Sequence, residues 1–218
     1  MIKAVLFDLD GTLIDTNELI LSSFKKAFKE VLDIEVPEKE ITMLFGRPLV
    51  QTLGIYSESK LEELIKTYRD YNESNHDQMC RSFDGVKEML EELKEMGVKL
   101  GIVTSKREHL AKRGMKISGI LDIMDTVITP ESTEKHKPNP DPALKACELL
   151  EVNPNEAIMV GDATYDILCG KSAGCKTIGV SYTSIPIKEL QRAEPDYFVD
   201  EPMAIVEIVK ELKMNTAI

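Results

Sequence analysis

The sequence predicts an α/β protein in which a doubly wound parallel sheet carries a smaller, inserted all-helical domain. Short and nearly continuous apolar runs recur along the chain, which is typical of strands buried on both faces of a sheet. Amphipathic helical patterns alternate with these runs, as they do in doubly wound folds. Residues 15–80 hold no convincing strand, and this predicts the helical insertion.

The first expected strand, residues 3–8, is an apolar run that ends in Asp8. Later runs of the same kind predict the remaining strands at 98–104, 126–129, 157–162, 176–181 and, with a weaker pattern, 196–199. Because these runs are short and mostly apolar at every position, we expect parallel strands with helices packed on both sides.

Helices between the strands are indicated by apolar spacing and by end signals. Residues 86–96 and 164–173 each follow helical spacing up to a glycine. Asp141 before Pro142 predicts an N-cap with proline at the first helical position. Pro202 is expected to open the last helix.

The inserted segment has helical patterns of its own. Residues 20–31 and 61–71 each predict an amphipathic helix, and a shorter helix is expected after Pro48. A helical block over the end of a sheet is well placed to act as a lid. The expected domains are 15–80 for the helical part, and 1–14 with 81–218 for the core.

Composition argues against nucleic acid and membranes as partners. The 218 residues carry a formal net charge of −11, which repels polyanions unless a strong basic patch is present. We interpret the densest basic stretch as the solvated face of a helix; its members are Lys106, Arg107, Lys112, Arg113 and Lys116. No apolar run has the length of a membrane span.

The N-terminal apolar run is too short for a signal peptide, and the four cysteines form no CxxC pair. We therefore expect reduced cysteines, no zinc site and a cytoplasmic protein. The expected assembly is a monomer or a weak homodimer.

Polar side chains follow several of the expected strands. Asp8 and Asp10 follow the first strand, Thr104 the second and Asp162 the fourth. The carboxyl ends of parallel strands meet at one edge of the sheet, where open α/β folds bind ligands. Together with Asp166, these acids would place four carboxylates in one crevice, which raises their pKa values and costs stability. All-oxygen ligands favour Mg²⁺ as the balancing cation.

A second cation, Lys137, lies in the stretch HKPNP, whose prolines predict a stiff extended loop that aims its side chain. Asp8 and Asp10 are two residues apart, so an extended chain would point both to the same side. One carboxylate can attack phosphorus while the other protonates the leaving oxygen and later deprotonates the water. Gly11 and Thr12 allow a tight turn whose backbone N–H groups can hold phosphate oxygens.

Each of these patterns has a commoner meaning when it occurs alone. Two acids two residues apart are often a turn or a surface calcium-like site. A threonine at a strand end, such as Thr104, is usually a cap, and a Gly-Asp pair often begins a helix. Their occurrence in order points to phosphoryl transfer, which needs placement and charge neutralisation. The Thr104 hydroxyl would then contact a phosphate oxygen.

With these motifs, the sequence resembles the haloacid dehalogenase superfamily of phosphohydrolases. The matching stretches are DLDGTL at 8–13, IVTS at 102–105, HKPNPDP at 136–142 and VGDATYDI at 160–167. The resemblance implies the Rossmann-like core of that superfamily, with the helical insertion as its small cap. A second aspartate in the first motif is similar to the phosphatase branch.

The resemblance also implies a role for each site residue and a requirement for Mg²⁺. The residues implied to act on the phosphoryl group are Asp8 as nucleophile, Asp10 as acid/base, and Thr104, Lys137, Ser105, Gly11 and Thr12 as its contacts. The implied metal ligands are the Asp8 carboxylate, the Asp10 backbone carbonyl and Asp162, with Asp166 in support.

The substrate is less clearly indicated than the chemistry. FGRPL at 45–49 lies where related proteins keep a specificity loop, and Arg47 could bind a second anionic group; a surface arginine in a helix–helix turn is the alternative. Ala163 departs from the Asn or Ser that relatives often carry. The chain is similar to pyrophosphatases linked to HPr-serine-phosphate turnover and to phosphoglycolate phosphatases.

The expected function is therefore hydrolysis of a small phosphorylated molecule, with pyrophosphate as the best single candidate. Three alternatives stay open. They are a phosphoglycolate or other monoester phosphatase, a phosphomutase similar to β-phosphoglucomutase, and a non-catalytic phosphate-binding regulator.

Overall fold

The computed structural model describes residues 1–214, so the last four residues of the expected core segment lie outside the described part of the chain. Its strands, in chain order, are β1 (Ala4–Phe7), β2 (Ile14–Asp15), β3 (Arg81–Ser82), β4 (Lys99–Val103), β5 (Thr126–Ile128), β6 (Ala157–Gly161), β7 (Lys176–Val180) and β8 (Tyr197–Val199). The six expected strands are all present.

Six of these strands form one parallel sheet in the order β5-β4-β1-β6-β7-β8. The register pairs Phe7 of β1 with Ile102 of β4 on one side and with Val160 of β6 on the other. The order places β1 between β4 and β6, so the chain runs outward from the centre in both directions. This is the doubly wound α/β fold that the sequence predicts.

The α-helices of the described residues are α1 (Asn17–Ala27), α2 (Glu38–Thr42), α3 (Leu49–Tyr56), α4 (Leu61–Met79), α5 (Val86–Glu95), α6 (Glu108–Ile117), α7 (Asp141–Leu149), α8 (Thr164–Ala173), α9 (Ile187–Gln191) and α10 (Met203–Met214). The prediction of Asp141 as an N-cap is wrong. Pro140 already has helical backbone angles, so Asp141 lies inside the first turn and makes no capping bond. None of these helices is both long and apolar enough to cross a bilayer.

Alternation along β1 divides the core into two layers. Val5 and Phe7 face a buried cluster that includes side chains of α5, α6 and α10. Ala4 and Leu6 face the opposite cluster, which includes α7 and α8. Every residue of β1 is fully buried, as expected of a strand covered on both faces.

Helices α1–α4 pack around an aromatic core of their own. Phe28 and Tyr56 have ring centroids 4.3 Å apart, and Phe24 and Tyr68 have centroids 4.8 Å apart. The expected helix at 20–31 is observed as α1, which then widens into a π-helical turn at Phe28–Leu32. We call α1–α4 the cap.

The sequence did not predict the two-stranded ribbon at the base of the cap. Residues Ile14–Asp15 pair with Arg81–Ser82 in an antiparallel ladder, so both chain connections between the cap and the sheet run side by side. Strands of two residues are too short to produce a periodic pattern, because no alternation can be read from them.

The interpretation of the basic stretch as a solvated helix face is wrong for Lys106, which precedes α6 and is largely buried. Arg107, directly before α6, and Arg113 on α6 are partly exposed and form ion pairs with Glu73 and Asp77 on α4, at 3.2 and 2.6 Å. Lys106 is turned inward, with only 8% of its side chain exposed. The positive face of α6 therefore supports the cap, through half-exposed pairs that each contribute little alone.

Candidate active site

The register of the sheet brings the strand-end acids to one edge. The N–H group of Asp8 donates to the Val160 carbonyl at 2.8 Å, so Asp8 continues the ladder between β1 and β6. Asp162 follows β6 directly, and Asp166 lies in the first turn of α8. Carboxylate oxygens of Asp8, Asp162 and Asp166 all lie within 4.8 Å of one another.

Lys137 is the cation inside this cluster. Its ammonium donates to Asp8 Oδ1 and to Asp166 Oδ1, both at 2.6 Å, and to the Val103 carbonyl at 3.0 Å. The loop that carries it is a turn, closed by the Asn139 N–H group on the His136 carbonyl, and not the extended segment expected from its prolines. Lys137 is only 5% exposed, so its charge acts with little screening.

Burial dominates the electrostatics of the acids. It raises the pKa of Asp8 to about 7 against the lowering effect of Lys137, with smaller upward contributions from Asp166 and Asp10. Burial, with Asp8 and Asp166 next, also raises the pKa of Asp162 well above its ordinary range. Burial alone would lower the pKa of Lys137, but the charges of Asp166 and Asp8 outweigh it and raise that pKa.

The donor set fits a small divalent cation. Three buried carboxylates face one point, and one ammonium cannot balance all three charges, as the raised pKa values of Asp8 and Asp162 indicate. Carboxylate oxygens are the ligands that Mg²⁺ prefers, and it is normally bound by one or two of them together with water and phosphate. Cysteine or histidine ligands, which would favour zinc, are absent from this described cluster.

Asp10 does not lie on an extended strand with Asp8. The strand ends at Phe7, the chain bends at Leu9, and Asp10 forms an isolated bridge with Ile14. Its Oδ1 atom accepts hydrogen bonds from the Thr16 hydroxyl at 2.6 Å and from the Lys106 ammonium at 2.7 Å. Its carboxylate is not one of the three clustered acids, and the metal role expected for its carbonyl stays a prediction.

The turn after Asp10 is tight because Gly11 lies against Asp162. A Cβ atom on Gly11 would stand 2.1 Å from Asp162 Oδ2, and its φ of +83° also favours glycine. The N–H groups of Gly11 and Thr12 donate to Ile14 and Leu9 carbonyls at 2.8 and 3.4 Å. Those two groups, expected to hold phosphate, thus have partners within the turn.

Thr104 and Ser105 differ in their surroundings. Thr104 is buried at the end of β4, and its hydroxyl oxygen accepts the N–H group of Lys106 at 3.1 Å. Ser105 is exposed. The Thr12 hydroxyl, which is buried in the turn after Asp10, has no hydrogen-bond partner among the described residues.

A sequence profile of the haloacid dehalogenase-like hydrolase family matches residues 5–180. The chain belongs to this family. The PpaX protein of Clostridium perfringens (strain 13 / Type A) is 55% identical over 97% of this chain and 99% of that protein. Pyrophosphatase PpaX of Bacillus cereus (strain Q1) is 39% identical over 98% of this chain and 99% of its own.

Solved structures agree with the family. The haloacid dehalogenase-like family hydrolase SP0104 from Streptococcus pneumoniae has a TM-score of 0.86 at 27% identity, covering 95% of this chain and 98% of that one. The sequence-based prediction of a haloacid dehalogenase-type hydrolase is confirmed.

In this haloacid dehalogenase-like hydrolase, the loop between α2 and α3, which we call the cap loop, contacts the core beside the acids. Gly46, with φ of +76°, is so close to Ala163 that a Cβ atom on it would lie 2.3 Å from the Ala163 Cβ. Arg47, next in the loop, is exposed. Ala163 therefore contacts the cap, and the anion-binding role of Arg47 stays a prediction.

Sequence reasoning missed two further groups around the acids. The Thr183 hydroxyl, from the segment after β7, donates to Asp162 Oδ2 at 2.6 Å. Lys106 contacts Asp10, as described above. Both follow apolar runs, so the strand-end argument that found Thr104 could have found them as well.

Proposed function

We propose that this hydrolase is a Mg²⁺-dependent pyrophosphatase that works through phosphorylated Asp8. The observation that carries the proposal is the contact of one buried ammonium, Lys137, with Asp8 and Asp166 inside a cluster of three acids. Such a site is built to neutralise an incoming phosphoryl group. The names of the PpaX relatives support pyrophosphate as the substrate.

In the first step, a carboxylate oxygen of Asp8 attacks phosphorus and forms the new P–O bond. The bridging P–O bond breaks, and its electron pair leaves with the second phosphate. Lys137 holds the other oxygen of Asp8 at 2.6 Å, which fixes the direction of attack. The Thr104 hydroxyl, which is buried at the end of the neighbouring strand β4, would contact the transferred group.

A bound Mg²⁺ ion would supply positive charge to the phosphoryl oxygens as the transition state forms. Asp8 and Asp162 are the residues that would hold it directly, together with the Asp10 carbonyl, and Asp166 would support them. Gly11 keeps this space open, because any side chain there would overlap Asp162.

In the second step, Asp10 accepts a proton from water while the water oxygen attacks phosphorus, and the bond to Asp8 breaks to release phosphate. The Thr16 hydroxyl and Lys106 fix the Asp10 carboxylate from one side. Their hydrogen bonds go to Oδ1, which leaves Oδ2 to take the proton.

A panel of substrates with and without Mg²⁺ tests the proposal. We expect Mg²⁺-dependent phosphate release that is fastest with pyrophosphate and slower with phosphoglycolate, p-nitrophenyl phosphate and sugar phosphates. A preference for phosphoglycolate would make the chain a monoester phosphatase. Isomerisation of a sugar phosphate would make it a mutase, and folded protein without turnover would make it a phosphate-binding regulator.

We further propose a cytoplasmic location. Its support is that all four cysteines are free and buried, as is usual in a reducing compartment. The expected monomer or weak homodimer, and the expected absence of nucleic-acid and membrane partners, stay predictions.

A further inference from the structure

We infer that Lys106 binds the leaving phosphate, so that this site carries one buried cation for each half of pyrophosphate. The inference rests on the proposed function, because it assigns a residue to the second phosphate of that substrate. It gives the chain a physical reason to prefer phosphoanhydrides over phosphate monoesters.

The position of Lys106 is set by the end of β4. Its backbone N–H group donates to Thr104 Oγ1 at 3.1 Å, which ties it to the residue proposed to contact the transferred group. Its ammonium donates to Asp10 Oδ1 at 2.7 Å. Only 8% of its side chain is exposed, compared with 4% for Lys137. A lysine buried to this extent has lost most of its hydration, and Asp10 replaces only part of it.

The two lysines differ in the donors they have left. Lys137 uses all three N–H donors of its ammonium, on Asp8, Asp166 and the Val103 carbonyl. Within residues 1–214, the Lys106 ammonium has the single acceptor Asp10. An ammonium group carries three donors, so two remain for an anion beside Asp10.

Asp10 marks where the leaving group must be. The acid/base has to reach the oxygen that departs from phosphorus, and a cation that contacts Asp10 is therefore close to that oxygen too. A departing sugar or glycolate oxygen carries one charge that a proton removes. A departing phosphate carries its charge on several oxygens, and it is stabilised better by a fixed cation than by one proton.

The cap helix α4 brings His76 close to Lys106. His76 of α4 is fully buried, and its Nε2 atom has no hydrogen-bond partner among the described residues. Burial, followed by the charge of Lys106, lowers the pKa of His76. The imidazole is therefore neutral near pH 7, so His76 adds no second positive charge beside Lys106.

The test compares pyrophosphate with p-nitrophenyl phosphate, because their leaving groups are of similar acidity but only one is a phosphate. We would measure kcat/KM for both substrates in the wild type, Lys106→Met and Lys106→Arg. The control is Lys112→Met, which removes an exposed lysine from α6, the helix that follows Lys106. Circular dichroism melting checks that each variant folds.

We expect Lys106→Met to reduce kcat/KM for pyrophosphate by roughly 10- to 100-fold more than for p-nitrophenyl phosphate, the size of a lost charge-assisted hydrogen bond. Lys106→Arg should recover part of that difference, and Lys112→Met should leave both rates unchanged. Inhibition of p-nitrophenyl phosphate turnover by methylenediphosphonate should weaken in Lys106→Met, whereas inhibition by inorganic phosphate should not.

Equal losses on both substrates in Lys106→Met would overturn the inference and leave the pyrophosphatase proposal intact, because Lys106 would then act only by holding Asp10. A wild-type enzyme that hydrolyses p-nitrophenyl phosphate but not pyrophosphate would overturn both. If Lys106→Met does not fold, Lys106→Arg is compared with the wild type on the same two substrates. A larger loss for pyrophosphate would support the inference, and equal effects on both substrates would overturn it.

Discussion

Asp8 is buried close to other carboxylates, and the free-energy cost of its charge should be measurable in the stability of the metal-free protein. Burial raises the pKa of Asp8 from 3.8 to about 7, so the folded protein holds this proton more tightly than the unfolded chain does. Such a group contributes stability that is complete below its unfolded pKa and is lost as the pH rises through its folded pKa. Asp162 acts in the same direction.

We therefore predict that, in EDTA, the melting temperature falls as the pH is raised from about 4 to about 7. Asp8→Asn should reduce this slope and raise the melting temperature near pH 7 by about 3 °C or more. Differential scanning calorimetry across that pH range measures both effects. A melting temperature that rises over the same window, or an Asp8→Asn variant less stable than the wild type at pH 7, would show that the acids are not strained.

Thr183 affects the proposed metal site through Asp162, a proposed ligand of the metal, and not through contact with the substrate. Its hydroxyl donates to Asp162 Oδ2, and hydrogen bonds of this kind orient metal ligands and change affinity by about 10- to 100-fold. Thr183→Val should weaken Mn²⁺ binding by about tenfold. Electron paramagnetic resonance of the bound and free ion measures the affinity. Thr183→Ser should restore it.

Ser181→Ala is the matched control for Thr183, because the Ser181 hydroxyl lies in the same segment but donates to the Val199 carbonyl. Equal Mn²⁺ affinities in Thr183→Val and Ser181→Ala would remove Thr183 from the account of the metal site.

Among the elements, the segment after β7 links the cap to the acids. Ile185 packs against the aromatic core of the cap, and Thr183, two residues earlier, contacts Asp162. Tyr182 donates to the Thr12 carbonyl and stacks edge-on against Phe83, beside the two connections to the cap. The cap is therefore in contact with the acids through this segment as well as through the loop that holds Gly46.

The cap loop itself provides an element-scale prediction. In Gly46→Ala, the new Cβ would overlap Ala163, and the φ of +76° adds backbone strain of about 1–2 kcal/mol. The loop must then lift from the core, so kcat/KM for pyrophosphate should fall about tenfold or more. Steady-state kinetics measures the change in kcat/KM, and an unchanged melting temperature shows that the core of the variant is intact.

Gly54→Ala is the control in the same cap, because a Cβ atom there meets nothing within 4 Å, and alanine favours the helix by about 1 kcal/mol. It should leave activity unchanged. Wild-type activity in Gly46→Ala would mean that the contact with Ala163 is not needed during turnover.

At the scale of the whole molecule, the sheet was predictable because its signal is local. Runs such as 3–8 and 157–162 are apolar at nearly every position, and burial on both faces leaves little room for another structure. The convergence of Asp8, Asp162 and Asp166 followed from the strand-end rule. The rule predicts that these acids lie at one edge of the sheet. It does not predict their contact with Lys137, because that contact depends on the conformation of the long loop that carries the lysine.

The errors have physical causes too. The prediction of a solvated position for Lys106 is wrong because a lysine in a basic stretch does not reveal its acidic partner. That partner, Asp10, lies 96 residues away in the sequence. The ribbon β2–β3 joins strands too short to carry a pattern. The hydrogen bonds that the Gly11 and Thr12 amides make within their turn depend on three-dimensional packing and carry no sequence signal, and their expected role in phosphate binding stays a prediction.

The most direct test of the account is a search for phosphate bound covalently to Asp8 during turnover. Enzyme mixed with radiolabelled pyrophosphate and Mg²⁺, quenched in acid and digested, should carry hydroxylamine-sensitive label on the peptide that contains Asp8. Asp10→Asn should accumulate more label, because removal of the base slows its hydrolysis, and Asp8→Asn should carry none and lose turnover. Rapid turnover without any labelled protein, or label that persists in Asp8→Asn, would contradict the account.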